Sequence, residues 1–212
     1  MSLTSRLKAL LRRRATPEGL AAYEDAVARL ARAELVAGAL KLGDHAPAFL
    51  LPNAEGELVD SEELLAELPL VISFFRGGWC PYCDVAMRAM QDALPAIAEA
   101  GGRFVAIWPD TGGRARRIKQ ERGLTYELLV DVDNAVAMQY GIVFRMPELY
   151  RQRLLLQGVD LAQAQGNAAW LLPMTATYIV GQDSVIHYAF VDGDHTNRAE
   201  PDAIVAALRL LG

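Results

Sequence analysis

The chain has 212 residues, 52% of them hydrophobic and 22% charged, so it can fill one sizeable core and is not disordered. Its net charge of -5, from 26 acidic and 21 basic side chains, excludes a general nucleic-acid binder, and no apolar run reaches the length of a membrane span.

Met1 to Ala15 is basic, with Arg6, Lys8, Arg12, Arg13 and Arg14 set between leucines. It lacks the apolar core and cleavage site of a signal peptide and reads as a solvated amphipathic helix or a frayed tail, with a membrane-surface or partner-binding role as the lesser alternative. The expected compartment is therefore the cytoplasm, where a close cysteine pair is redox-active or metal-binding more often than structural. Thr16-Pro17-Glu18 carries the hydroxyl, proline and acid of a helix start. Leu20, Tyr23, Val27, Leu30 and Ala31 continue at helical spacing, predicting a helix to about Ala37 that Gly38 and Gly43 end. Residues 1–40 are expected to form a helical extension, and 41–212 the main domain.

Phe49-Leu50-Leu51 and Leu58-Val59 flank the turn Asn53-Ala54-Glu55-Gly56, predicting a hairpin. A short helix from Ser61 ends at Pro69. Leu70 to Phe75 is almost wholly apolar, as in a central strand buried on both faces. The turn Arg76-Gly77-Gly78-Trp79 leads into a long helix from about Cys80 to Ala100. Strands are expected at Arg103 to Trp108 and Glu127 to Val130, and helices at Arg114 to Arg122 and Asn134 to Tyr140. Met146 to Ala169 is a less regular, partly helical insert. Ala176 to Val180 and Val185 to Val191 form a second hairpin, and Glu200-Pro201 opens the last helix. The alternation of strands and helices predicts an α/β fold around a mixed sheet with helices on both faces.

Cys80 and Cys83 are the chain's two cysteines, and they stand where a buried strand turns into a helix. The reactive form of cysteine is the thiolate, and the unpaired N–H groups and positive dipole end of a helix N-terminus favour it. Their spacing places both sulfurs within one helical turn, close enough to close a disulfide, so that one attacks and the other resolves. Pro81 suits the first turn, where its missing N–H is not needed. Arg76 is placed to favour the thiolate further. A closed zinc site needs four ligands, and only His45, His187 and His195 are available as nitrogen donors. Two inert core cysteines do not fit a turn-to-helix position. Cys80, at the helix mouth, is expected to be the more exposed sulfur and the attacker of protein disulfides. For a peroxide, either sulfur stays open.

Trp79-Cys80-Pro81-Tyr82-Cys83 after an apolar strand resembles the active site of thioredoxin-fold proteins, and Cys80-Pro81-Tyr82-Cys83 is similar to the glutaredoxin tetrapeptide. From Gly43-Asp44-His45-Ala46-Pro47 through Phe74-Phe75-Arg76-Gly77-Gly78 to Glu200-Pro201, the wider chain resembles the alkyl hydroperoxide reductase/thiol-specific antioxidant (AhpC/TSA) family, in its peroxiredoxin-like branch with a Cys-Pro-x-Cys centre. The resemblance implies a thioredoxin-like fold over about Lys41 to Gly212. It implies an antioxidant thiol peroxidase that reduces hydroperoxides through a Cys80/Cys83 dithiol–disulfide cycle regenerated by a thioredoxin- or glutaredoxin-type donor. The alternatives are a disulfide reductase and a redox-sensing binding module without turnover. Laid on the peroxiredoxin motif, Cys83 takes the peroxidatic position, Cys80 that of a threonine, and Arg76 that of a proline. In thioredoxins the first cysteine, here Cys80, is the nucleophile. Phe74 stands where thioredoxins have a buried acid, Thr175 stands at their cis-proline position, and no arginine matches the one that binds peroxide.

The expected site is thus Cys80 and Cys83, lined or stabilised by Arg76, Trp79, Pro81 and Thr175, with no cofactor, metal, nucleic acid or membrane partner. Trp79 and Trp108 read as core or site-lining aromatics, and Trp170 as core or interface. The N-terminal helix and the segment near Trp170 offer surfaces for a homodimer. His187 reads as a hydrogen-bonded sheet residue, and His195, after Asp192-Gly193-Asp194, as part of a solvated loop.

Overall fold

The computed structural model describes residues 1–32, 35–111 and 113–211. Its centre is the apolar run expected to form a buried strand, β3 (Leu70–Phe74), every residue of which is buried. Strand β4 (Arg103–Trp108) pairs with it in parallel on one side, and β5 (Glu127–Val130) pairs in parallel with β4. On the other side lies β8 (Thr175–Val180), antiparallel, followed by antiparallel β9 (Ile186–Asp192), so the order is β5-β4-β3-β8-β9. The two parallel pairs need crossovers, and the long helix α5 (Pro81–Glu99) and the shorter α6 (Arg114–Arg122) provide them. This is the thioredoxin-like arrangement that the sequence resemblance implies.

The strand's side chains alternate between two cores, because successive residues point to opposite faces. Leu70, Ile72 and Phe74 pack with Tyr140, Leu154, Leu172 and Tyr178, whereas Val71 and Phe75 pack with Met87, Met90, Trp108 and Ile204. Ser73 is the one polar residue of β3, and its hydroxyl is satisfied across the sheet by Thr177 at 2.8 Å. The last helix, α10 (Pro201–Leu208), lies against α5.

The hairpin β1 (Leu50–Pro52) and β2 (Leu58–Asp60) and the helices α4 (Ser61–Glu67) and α7 (Ala135–Gln139) form as expected. The insert holds two helices, α8 (Glu148–Leu156) and α9 (Leu161–Gln165). A short antiparallel pair that the sequence reading does not contain, β6 (Val143–Arg145) with β7 (Leu171–Pro173), clamps the insert at its base. Helix α2 (Pro17–Arg32) starts as expected. Its predicted continuation to Ala37 crosses residues 33 and 34, which lie outside the described residues, and Leu35–Gly38 forms a separate turn of helix, α3.

One expectation is corrected. The N-terminal segment is a helix, α1 (Leu3–Arg14), but not a solvated one: Leu3 and Leu7 are buried in the α5 core, and Glu200 accepts hydrogen bonds from the Leu3 and Thr4 N–H groups at 2.7 and 2.9 Å. A carboxylate at a helix N-terminus meets both free donors and the positive dipole end. Of the two readings of Trp170, the structure has the core one: it is buried among core residues with the Arg151 guanidinium 4.8 Å from its ring.

Candidate active site

The chain leaves β3 at its carboxyl end and must reverse within a few residues to start α5. Gly77 makes this possible. Its φ is +139°, and a Cβ there would lie 2.5 Å from both Asp110 Oδ1 and Trp79 Nε1. Only glycine tolerates that backbone and that approach. The turn delivers Cys80 to the N-cap of α5, with Pro81 in the first helical position. Cys83 then falls in the first turn, facing back toward the strand.

Both sulfurs are free thiols and both are buried: Cys80 is 1% exposed and Cys83 0%. This corrects the expectation that Cys80 would be the exposed sulfur at the helix mouth. The aromatic turn and the helices packed over it cover the position that spacing alone leaves open.

The two sulfurs differ in what surrounds them. Cys83 Sγ accepts the Arg76 backbone N–H at 3.4 Å and a guanidinium N–H from Arg198 Nη2 at 3.4 Å. Burial acts to raise the Cys83 thiol. The Cys80 thiol's hydrogen bond, the Arg198 and Arg76 charges and the Arg76 N–H outweigh it, holding Cys83 well below its ordinary value. Cys80 is pushed well above its ordinary value by burial first, then by its hydrogen bond and charge interaction with Cys83. The surroundings of Cys83 thus favour its thiolate, and those of Cys80 its thiol.

Arg76 is 3% exposed, and its guanidinium lies 5.0 Å from the Trp79 ring and 5.6 Å from the Tyr150 ring. Aromatic faces favour a cation there. Thr175 is buried and lines a narrow space with Arg76 and His195 rather than the sulfurs. Trp79 and Pro81 stand beside Cys80, as expected.

Three residues of the site were not found in the sequence. Arg198, from the loop before α10, supplies the guanidinium on Cys83, and its Nε donates to the His195 carbonyl at 3.0 Å. His195 was expected in a solvated loop, yet it is 8% exposed, with its ring 4.7 Å from Tyr82 and 5.4 Å from Tyr23. Asp192 and Asp194 do not project into water either. They accept hydrogen bonds from Asp194, Thr196 and Asn197 and so fold the loop inward. Burial, then the Arg76 and Arg198 charges, push His195 well below its ordinary range, so its ring is neutral. The third is Asp110, buried after β4, which accepts the Gly78 N–H at 2.8 Å. Burial raises its carboxyl to about 7. His187, by contrast, is the hydrogen-bonded strand residue expected, paired with Asp183 at 3.1 Å. Among the described residues no cluster of His, Cys, Asp and Glu has the form of a metal site.

Comparisons with known proteins place the chain in a family. The sequence model of the AhpC/TSA family matches residues 42–189. A putative peroxiredoxin bcp of Coxiella burnetii is 29% identical over 104 residues, which are 49% of this chain and 68% of that one. Peroxiredoxin Bcp of Escherichia coli is 31% identical over 103 residues, 49% of this chain and 65% of that one, so the matches span about two thirds of these relatives. Among solved structures, peroxidoxin BcpB of Mycobacterium tuberculosis superposes with a TM-score of 0.64 at 22% identity, over 82% of this chain and 99% of that one. A peroxiredoxin-like protein of Aquifex aeolicus gives 0.65 at 14% identity, over 82% and 89%.

Proposed function

This chain belongs to the AhpC/TSA family, and from that premise we propose that it is a thiol peroxidase of peroxiredoxin type in which Cys83 attacks and Cys80 resolves. The observation that carries the assignment is the unequal hydrogen bonding of the pair: Cys83 Sγ accepts two N–H donors, and Cys80 Sγ accepts none among the described residues. Donors of this kind favour the thiolate at Cys83, whereas burial favours the thiol at Cys80.

The Cys83 thiolate attacks the terminal oxygen of a hydroperoxide, breaking the O–O bond and forming a sulfenic acid. The departing alkoxide or hydroxide needs a proton, and Cys80 holds one next to the reacting sulfur. Once it gives that proton up, Cys80 is itself a thiolate. It attacks the sulfenic sulfur, hydroxide leaves, and a Cys80–Cys83 disulfide closes. An external thiol returns the pair to the dithiol. Arg198 and the Arg76 N–H lower the attacker's proton affinity throughout. The burial of Cys80 weighs against reduction of protein disulfides, because a folded protein's disulfide cannot reach a sulfur so enclosed.

Rapid mixing with hydrogen peroxide, followed by the fluorescence of Trp79 beside the pair, tests the reading. The expected result is oxidation far faster than that of free cysteine. A rate constant equal to that of free cysteine would exclude a peroxidase.

A further inference from the structure

A cavity of about 510 Å³ opens beside Cys80, between the turn into α5 and the walls that α1, α2 and α8 add to the thioredoxin-like core. Its volume lies within the range of roughly 300–1,000 Å³ typical of small-molecule sites. Cys80 stands on its wall and Cys83 does not. The charged side chains on that wall are Arg14, Arg76 and Arg153, with no carboxylate among the described lining residues. The acid beside them is Glu18, exposed and 3.9 Å from Arg153. Arg153 also donates to the Thr16 hydroxyl. The Nε atoms of Arg76 and Arg153 are both buried without a hydrogen-bond partner among the described residues. Buried donors of this kind are normally paired, so a concentration of them on one wall marks a place for acceptors. Trp79, Tyr82, Leu11 and Leu154 supply apolar surface for an organic body.

We propose that this cavity binds a small thiol bearing carboxylates, and that this thiol reduces the Cys80–Cys83 disulfide by attacking Cys80. The inference rests on the peroxidase reading for the origin of the disulfide, and it names the donor. Planar guanidinium groups match carboxylates in geometry as well as charge. A thiol of a few residues' bulk fits a cavity of this size. The chemistry fixes which sulfur is attacked. The incoming thiolate bonds to Cys80 Sγ, the S–S bond breaks, and its electron pair leaves on Cys83, which Arg198 and the Arg76 N–H stabilise as a thiolate. A leaving thiol of low proton affinity departs faster. A second molecule of the thiol then attacks the bound one. It releases the small disulfide and restores Cys80, which takes up a proton. Two thiols are oxidised and one protein disulfide is reduced.

The test compares reduction of the oxidised protein by glutathione, neutral 2-mercaptoethanol and cationic cysteamine, each rate corrected for its thiolate fraction. The disulfide is prepared once with hydrogen peroxide and once with diamide. Glutathione is expected to react at least about ten-fold faster than 2-mercaptoethanol, and cysteamine more slowly than either, with added salt narrowing the spread. Arg14→Gln and Arg153→Gln are each expected to bring the glutathione to 2-mercaptoethanol ratio toward one, and Arg14, being exposed, can be changed without disturbing the core. Equal corrected rates for the three thiols, or a ratio that both variants leave unchanged, would overturn the proposal. If peroxide forms no disulfide but the diamide-made one still shows the preference, the peroxidase reading fails and the binding site stands.

Discussion

Cys83 owes its character to two hydrogen bonds, and each comes from a different part of the chain. The Arg76 N–H arrives with the turn itself, but the Arg198 guanidinium comes from 115 residues away. A hydrogen bond to a charged group is worth about 1.5–3 kcal/mol, so Arg198→Met should raise the pH at which alkylation of Cys83 by iodoacetamide is lost by about one to two pH units. In the wild type, alkylation should persist as pH drops below the ordinary thiol range and disappear only as pH falls through the lowered value. In Arg198→Met the loss should move to higher pH. An unchanged pH profile would remove Arg198 from the account. Asp110 makes the opposite kind of prediction. Burial raises its carboxyl from an unfolded value of about 4 to about 7, so the folded state binds a proton that the unfolded state releases. Stability from this group is present at low pH and is lost as pH rises through that window. Thermal melts of Asp110→Asn and wild type should therefore agree near pH 4 and separate above pH 7, with the variant the more stable. The cysteine pair was legible because strand, glycine turn, cysteines and helix follow one another along the chain. Arg198, His195 and Asp110 were not, because only the tertiary fold brings them to the sulfurs. The aspartates around His195 look like a solvated run until their hydrogen bonds within the loop are seen.

Strands with long apolar runs and helices with clear starts were readable, because each carries its own period or cap. The pair β6–β7 was not, since three-residue strands are too short to show alternation. In α1 the arginines conceal Leu3 and Leu7, which its packing against α5 buries. Leu7 is 0% exposed, so Leu7→Ala should cost about 2–5 kcal/mol in urea unfolding. The helix also bears on the site. Thr4 Oγ1 meets the Arg198 carbonyl at 3.4 Å, and the adjoining Glu200 caps α1. Deleting residues 1–15 should therefore release the loop that carries Arg198 and slow Cys83 alkylation. If the truncated protein keeps the full rate, α1 serves packing alone.

At the scale of the molecule, the site sits at the carboxyl ends of the parallel strands β3 and β4. There the turn after β3, Asp110 after β4 and the returning loop after β9 converge. Open α/β sheets generally place ligands at such ends. The core supplies a buried, desolvated floor, and the guanidinium groups supply the charge that lets one sulfur remain ionised on it. The division of labour between the sulfurs is the centre of this account, and trapping the sulfenic acid examines it most directly. Cys80→Ser and Cys83→Ser are each treated with one equivalent of hydrogen peroxide and a dimedone-type reagent, and the adduct is located by peptide mass. The adduct is predicted on Cys83 in Cys80→Ser, with none in Cys83→Ser. An adduct on Cys80 in Cys83→Ser, with Cys80→Ser unlabelled, would contradict it.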